Sequence, residues 1–524
     1  MERMSTLDAG FFFVEHDNVP MHIGSLAVFE GPRPAYDDVT RLFEAKLPQV
    51  PRYRQVVRTT PLQVFRPMWT DDVHFEIGYH VRHAAVPAPG GPAELRSLAA
   101  RIFAQRLDRA RPLWEEWLLE GLAGGRWAII SKVHHAMVDG VGGTDLMTLV
   151  FDQTPDAVHP ASAAWEPEPP QSLASMVAGG VRDAVTWPLR QLTTAPDVLR
   201  LLRRPAELAG FGRGLAGSAR RLAEPSAGFL NGTIGPHRRW AWATASLGDI
   251  KQIRLRHGGT VNDVLLAAIT RAFRDLLEAR GELADGLVVR SLVPVSVRGS
   301  SQRGEVTNRV SAVLANLPVG EHDPLRRLAV VREQMDGLKR SYQAVSAEVL
   351  TGMLGFAAPM WLALGSRAAF NAPQPLVQTV TTNVPGPRVP LYILGRRMEA
   401  AYPYVPIGSS LRISVAIFSY LDTISFGVTA DYDAVPDLEI LIEGIGRGLA
   451  ELGGQPAAGP PVDSAAPKQA APKQAATPKK AARKSGTAPK PAARKSAAKP
   501  AVRKSGTAPK PGSGQPPRGR PATS

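Results

Sequence analysis

Apolar positions along this chain recur with a period near two in some stretches and near 3.6 in others, and the interleaving of the two predicts a mixed α/β protein. Residues 27–29 read as a short strand, 36–47 and 93–105 as helices, and the mostly apolar run 127–133 as a buried strand. Further along, Thr260 is placed to cap an amphipathic helix running to residue 279, with Val261, Leu265, Ala268, Ala272 and Leu276 on one face. Residues 287–297 read as a strand interrupted by proline, and 411–418 with 423–430 as a hairpin. Between these groups, residues 153–170 are rich in proline, alanine and acidic residues, and a helical, moderately basic stretch follows to about residue 225. The expected organisation is an N-terminal half at 1–152, a linker with a crossover at 153–235, a C-terminal half at 236–454 and a tail at 455–524. Two α/β halves of similar size predict a cleft between them, a common place for a substrate.

Length agrees, since 524 residues exceed what one core usually supports. The formal charge of +15 suggests a nucleic-acid partner until its distribution is read. Fifteen of the 62 Lys and Arg follow Asp463 with no acidic residue among them, leaving 47 basic against 47 acidic residues before that point. The basic stretch is mostly Ala, Pro, Lys, Arg, Ser and Gly, with RKSGTAPKP at 483–491 and again at 503–511. Such a composition buries too little apolar surface to offset its ordering entropy, so a disordered cationic extension is expected. The sequence contains no cysteine, which excludes disulfides, thiolate metal sites and an acyl-cysteine intermediate. The apolar run at 11–14 is short and flanked by acidic residues, unlike a signal peptide. The longest uncharged stretch, 349–366, contains Pro359 and several glycines and reads as a buried helix, with a membrane-surface helix as the alternative. A cytoplasmic location is expected.

The most informative segment is SKVHHAMVDGVGGTDLM at 131–147, which sets His134 and His135 at the end of a predicted buried strand, before a glycine-rich turn and a helix beginning near Thr144. Neighbouring strand residues point to opposite faces, so the two histidines are predicted to divide their roles, one facing the reaction and the other the packing. An imidazole near neutrality suits acyl transfer to an alcohol, because it takes the hydroxyl proton during attack and returns it to the leaving group. Asp139 is placed to orient a ring or to hold the loop through an arginine, while Gly140, Gly142 and Gly143 permit a tight turn. A metal site would need ligands converging on one face, and a serine hydrolase would need GxSxG, which does not occur. No metal is expected, and direct transfer in a ternary complex is the simplest remaining route.

HHAMVDG at 134–140 is accompanied by further motifs in order: Pro112, Leu113 and Trp114 as PLW, Asn262 and Asp263 within TVNDVLLA, and NVPGP beginning at Asn383. With the opening STLDAGFFFVEHDNVPMHIGSLAVFEG and LVPVSVRG at 292–299, the chain resembles the bacterial wax ester synthase/diacylglycerol acyltransferase family over roughly residues 4–452. The resemblance implies two chloramphenicol-acetyltransferase-like halves around a central channel, acyl-CoA as a substrate rather than a cofactor, and diacylglycerol or a long-chain alcohol as acceptor. It implies His135 as proton acceptor, His134 as a supporting residue and Asp139 as a structural acid pairing with an arginine, for which Arg298 is the candidate. It implies nothing about the tail.

Two other readings compete. A condensation-type enzyme esterifying another hydroxylated metabolite also fits HHxxxDG, although no carrier domain adjoins. The other is a nonenzymatic protein binding lipid surfaces or nucleic acid through the tail, whose cations give salt-sensitive phosphate attachment and whose lack of aromatics argues against base recognition. An apolar acceptor presented at an interface favours peripheral attachment to membrane or lipid inclusions as the tail's use, with nonspecific nucleic-acid contact as the alternative.

Overall fold

The computed structural model describes residues 2–61, 65–138, 150–160, 165–169, 172–183, 186, 224–296, 310–344, 376–408 and 410–454. The tail, the 349–366 stretch and most of the expected linker lie outside them. Fifteen strands occur among the described residues: β1 (Glu2–Arg3), β2 (His22–Phe29), β3 (Gln55–Arg58), β4 (Met68–Asp71), β5 (Val81–Ala85), β6 (Trp114–Glu120), β7 (Trp127–His134), β8 (Arg238–Ser246), β9 (Val289–Ser296), β10 (Val310–Leu317), β11 (Thr379–Val384), β12 (Tyr392–Ile393), β13 (Arg396–Tyr404), β14 (Ile413–Tyr420) and β15 (Thr423–Asp431). Eight α-helices accompany them: α1 (Thr6–Val14), α2 (Tyr36–Lys46), α3 (Ile77–His80), α4 (Pro92–Ala104), α5 (Leu247–His257), α6 (Val261–Ala279), α7 (Pro324–Ala344) and α8 (Leu438–Gly453).

Two six-stranded sheets dominate, in the orders β12-β13-β2-β7-β6-β5 and β10-β9-β11-β14-β15-β8, with β1-β4-β3 as a small third sheet. The first sheet does not follow chain order. β13, from late in the chain, pairs antiparallel with β2, setting Tyr404 opposite Gly24. The expected strands and hairpin, and the helices expected at 36–47, 93–105 and 261–279, are present, most within two residues of their predicted ends, although the first strand starts earlier, at His22. The helix expected from about Thr144 lies outside the described residues. Pro294 does not break β9, because its neighbour β11 pairs only at Ser291 and Leu292, so the missing N–H leaves no ladder bond unmade on that side.

The second half is organised by α6. Thr260 caps it as expected: its hydroxyl accepts from the Asp263 N–H, and the Asp263 carboxylate accepts from the Thr260 N–H at 2.7 Å, satisfying two donors at the helix start. The apolar face is broader than the predicted stripe. Leu266, Ile269, Phe273 and Leu277 are buried along with Leu265, Ala268, Ala272 and Leu276, whereas Val261 is only half-buried. Helix α8 covers the predicted stripe, crossing α6 so closely that a Cβ on Gly444 would lie 2.6 Å from Ala272 Cα, and one on Gly448 2.8 Å from Ala268 Cα, while the added residues join the core cluster that contains the strands of the second half. Glycines at i and i+4 on one helix face permit that approach.

The sheets of the two halves also meet directly. A Cβ on Gly427 in β15 would lie 1.7 Å from the Pro403 carbonyl of β13, and Trp240 Nε1 of β8 donates to the same carbonyl at 3.2 Å. Strand β13 therefore belongs to one sheet by its backbone ladder and meets the other through the Gly427 contact and the Trp240 indole.

Candidate active site

His134 closes β7 and His135 opens the short 3-10 turn that follows. His134 is fully buried, and its Nδ1 accepts from the Ala136 N–H at 3.0 Å, capping the turn that carries its neighbour. With Nδ1 accepting, the neutral ring holds its proton on Nε2. Nε2 lies 3.7 Å from Glu15 Oε1, a carboxylate just 1% exposed. Glu15 in turn accepts from Met21 N–H at 3.0 Å through Oε1 and from Arg109 Nε at 2.8 Å through Oε2. Arg109 also donates to the Phe12 carbonyl at 2.6 Å and stacks its guanidinium over the Phe12 ring. Burial drives the His134 pKa down to about 4, against the opposing pull of the Glu15 charge. Near neutral pH this ring carries no charge.

His135 faces a different environment. Phe11 stacks on its ring at 3.9 Å between centroids, and its backbone N–H donates to the Met21 carbonyl at 2.8 Å. Burial lowers its pKa below the ordinary histidine value, with a hydrogen bond to its own carbonyl opposing, so the imidazole is available as a base near neutrality. Its side chain lines a cavity of about 240 Å³ between the two sheets. One wall comes from β2, β6, β7 and β13 and the other from β11 and β14, with Val150 and Phe151 completing it. The lining is mostly apolar: Ile23, Val133, Val384, Ala416, Ile417 and Phe418 among others. A mostly apolar cleft lined by a neutral histidine suits an acyl or alkyl chain presented for proton transfer at its polar end.

The strand beside β7 fixes the first histidine. Leu113 accepts the His134 N–H on its carbonyl at 2.9 Å, and Trp114 donates from Nε1 to the Tyr53 carbonyl at 2.8 Å while stacking on His80. Pro112, Leu113 and Trp114 are all buried. None of the three lines the cavity.

A family model for the wax ester synthase/diacylglycerol acyltransferase catalytic domain matches residues 4–265, and one for the WS/DGAT C-terminal domain matches residues 306–453. This chain belongs to the WS/DGAT family. A Mycobacterium tuberculosis protein bearing the name diacylglycerol O-acyltransferase tgs1 is 40% identical to it over 457 residues, covering 86% of this chain and 96% of the relative. Another of that species, bearing the name tgs2, is 31% identical over 462 residues, covering 86% and 99%. Among solved structures, the wax ester synthase/diacylglycerol acyltransferase from Marinobacter aquaeolei VT8 matches with a TM-score of 0.59 at 28% identity, covering 86% of this chain and 98% of that one. The first condensation domain of the CDA synthetase shares the fold at a TM-score of 0.52 and 16% identity, covering 87% and 97%. The two-halved α/β architecture implied by the sequence resemblance is thus the family's own.

Within this WS/DGAT chain, Asn383 and Asn262 meet: Asn383 Nδ2 donates to Asn262 Oδ1 at 3.0 Å, joining the NVPGP strand to the first turn of α6. Thr382 and Val384, its neighbours on β11, line the cavity, so strand alternation turns Asn383 to the opposite face. Asp263 is spent on the helix cap. The next part of the motif is held by a close approach, since a Cβ on Gly386 would lie 1.9 Å from the Ser419 carbonyl, and its N–H donates to Ser419 Oγ. Of the other residues singled out from sequence, Asp139, Gly140, Gly142, Gly143 and Arg298 fall outside the described residues.

Sequence reasoning missed Glu15, Arg109 and Phe11. Glu15 entered it only as an acidic flank to the phenylalanine run, and nothing in local pattern announces that a half-buried arginine 94 residues away pairs with it. It also missed Glu116, a buried acid on the cavity wall.

Proposed function

We propose that this WS/DGAT protein transfers an acyl group from acyl-CoA to the hydroxyl of diacylglycerol, forming triacylglycerol, and accepts long-chain alcohols to form wax esters, with His135 as general base. The observation that carries this reading is the neutral imidazole of His135 on the wall of an apolar cavity between the two halves. The alcohol oxygen attacks the thioester carbonyl as His135 takes its proton. The C–S bond then breaks, and the imidazolium returns the proton to the leaving thiolate, giving the ester and free CoA. No covalent enzyme intermediate is required.

His134 acts as a positioning residue: its Nδ1 holds the turn on which His135 sits, and the Glu15–Arg109 pair faces its other nitrogen. Asp139 is assigned as the structural acid of the motif loop, with Gly140 giving the turn and Arg298 the candidate cation. The PLW residues and the Asn262–Asn383 pair support the site by packing and by tying β11 to α6.

No helix among the described residues is long and apolar enough to cross a membrane. Because the acceptor is apolar and interfacial, peripheral attachment to a membrane or lipid inclusion through the cationic segment 455–524 completes the reading. The deciding experiment incubates purified protein with labelled palmitoyl-CoA and either diacylglycerol or hexadecanol and resolves the lipid products. Triacylglycerol formation that requires diacylglycerol, and its loss in His135→Ala by the ~10²–10⁴-fold typical of a general base, is the expected result. An active His135→Ala protein would remove the assignment.

A further inference from the structure

The cavity wall carries one feature that an alkyl chain does not call for. In the register of the first sheet, Glu116 of β6 stands opposite Ser131 of β7, and Ser131 opposite Ser25 of β2. All three side chains line the cavity. Glu116 is 2% exposed, and Ser131 Oγ donates to its Oε2 at 2.6 Å. Its other oxygen, Oε1, has no hydrogen-bond partner among the described residues. Oε1 is reachable from the cavity rather than sealed behind its wall, so a polar group of whatever occupies that space can meet it.

The chemistry of that oxygen narrows what it meets. Ser131 occupies Oε2 with a donated hydrogen bond, so a proton on the carboxyl resides on Oε1 and makes it a donor. Burial raises the Glu116 pKa to about 8, which keeps that proton in place near neutrality. A donor needs an acceptor. The thioester carbonyl of the donor substrate and the reacting hydroxyl must both lie at His135, and a saturated chain beyond them offers no oxygen at all. A diacylglycerol differs: besides its free hydroxyl it carries two ester carbonyls, which only accept. Ser131 and His135 are four residues apart on one strand and its continuation, ~13 Å or less between backbones at the usual rise. The imidazole and the carboxyl thus share one cavity wall, His135 for the reacting hydroxyl and Glu116 for a second oxygen of the same acceptor.

Resting on the acyl-transfer reading above, we propose that Glu116, held by Ser131, is a specificity-determining residue that donates a hydrogen bond to an ester carbonyl of the acceptor and so selects a diacylglycerol over acceptors lacking that carbonyl. A site built around a buried donor discriminates against an acceptor that leaves it unpaired by about tenfold or more.

The test compares three acceptors with palmitoyl-CoA: a 1,2-diacylglycerol, the matching 1,2-dialkylglycerol, whose ether links lack the carbonyls, and hexadecanol. The full-length protein is expected to show a kcat/KM about tenfold higher for the diester than for the diether. Glu116→Leu is expected to erase that ratio, and Glu116→Gln, whose amide still donates, to keep most of it. Equal use of diester and diether by the unaltered protein overturns the proposal without requiring any variant to fold. A Glu116→Leu defect of equal size with all three acceptors places the carboxyl on the shared donor, such as its pantetheine arm, and also overturns it. Absence of transfer to any of the three defeats the acyl-transfer reading itself, and this inference with it.

Discussion

Replacing His134 separates positioning from direct participation, because alanine and asparagine remove different parts of what the ring does. Alanine deletes the acceptor for the buried Ala136 N–H, a loss of ~1–3 kcal/mol. It also empties a fully buried ring site against Phe12, at ~2–5 kcal/mol for a truncation of that size. Asparagine restores the first contribution, since its side-chain oxygen reaches the N–H two residues on. It recovers part of the second by filling some of the space. His134→Asn is therefore expected to be more stable than His134→Ala by at least the hydrogen-bond contribution of ~1–3 kcal/mol, and to keep more acyl transfer because the His135 turn stays capped. Thermal melts and initial rates of triacylglycerol formation, measured on the same preparations, check both halves. The pH dependence gives an independent readout. The His134 pKa falls from its ordinary 6.5 to about 4 on folding, so between those values the unfolded chain binds the proton that the folded protein refuses, and stability drops as pH falls. His22, opposite His134 in the sheet, is shifted the same way, so replacing His134 flattens only part of that slope. A His134→Asn protein that melts like the unaltered one yet is as inactive as His135→Ala would refute the positioning role.

Three further perturbations follow from the geometry. Glu116→Leu should gain melting temperature over the unaltered protein as pH rises from about 4.5 towards 8, because the folded state holds a proton that the unfolded chain has already released; a difference independent of pH would count against a protonated Glu116. Gly427→Ala should destabilise the fold by ~1–3 kcal/mol or more, since its methyl would meet the Pro403 carbonyl at 1.7 Å; an unchanged melt would show that the sheets separate at little cost. Truncation after Gly454 should leave transfer to a detergent-dispersed acceptor intact while binding to anionic vesicles and duplex DNA falls sharply at low salt; undiminished vesicle binding would move the attachment to the body of the protein.

What the sequence determined by itself is what depends on near neighbours. Period-two and period-3.6 patterning marked the strands and helices, because burial on one face is a local demand on side-chain order. Thr260 announced its helix because a cap and its partner lie three residues apart. The motif segment named both histidines, and their separation onto different surroundings followed from strand geometry alone. The tail was legible from composition. Tertiary structure decided the rest, in each case through contacts between residues far apart in the chain. It brought β13 into the sheet of the first half, a strand pairing no local pattern specifies. It showed that α6 is buried both against the close-packed glycines of α8 and within the core of the second half, and that PLW works through a carbonyl and an indole anchored in the core rather than by touching the cavity. It made Glu15 and Arg109 partners of His134, and it turned Glu116, one acid of an ordinary Glu-Glu pair in the sequence, into a buried carboxyl on the cavity wall while Glu115 beside it pairs with Lys132 on the opposite face. Strand alternation makes such a difference between neighbours inevitable, but only the packing of two sheets decides which face becomes the channel.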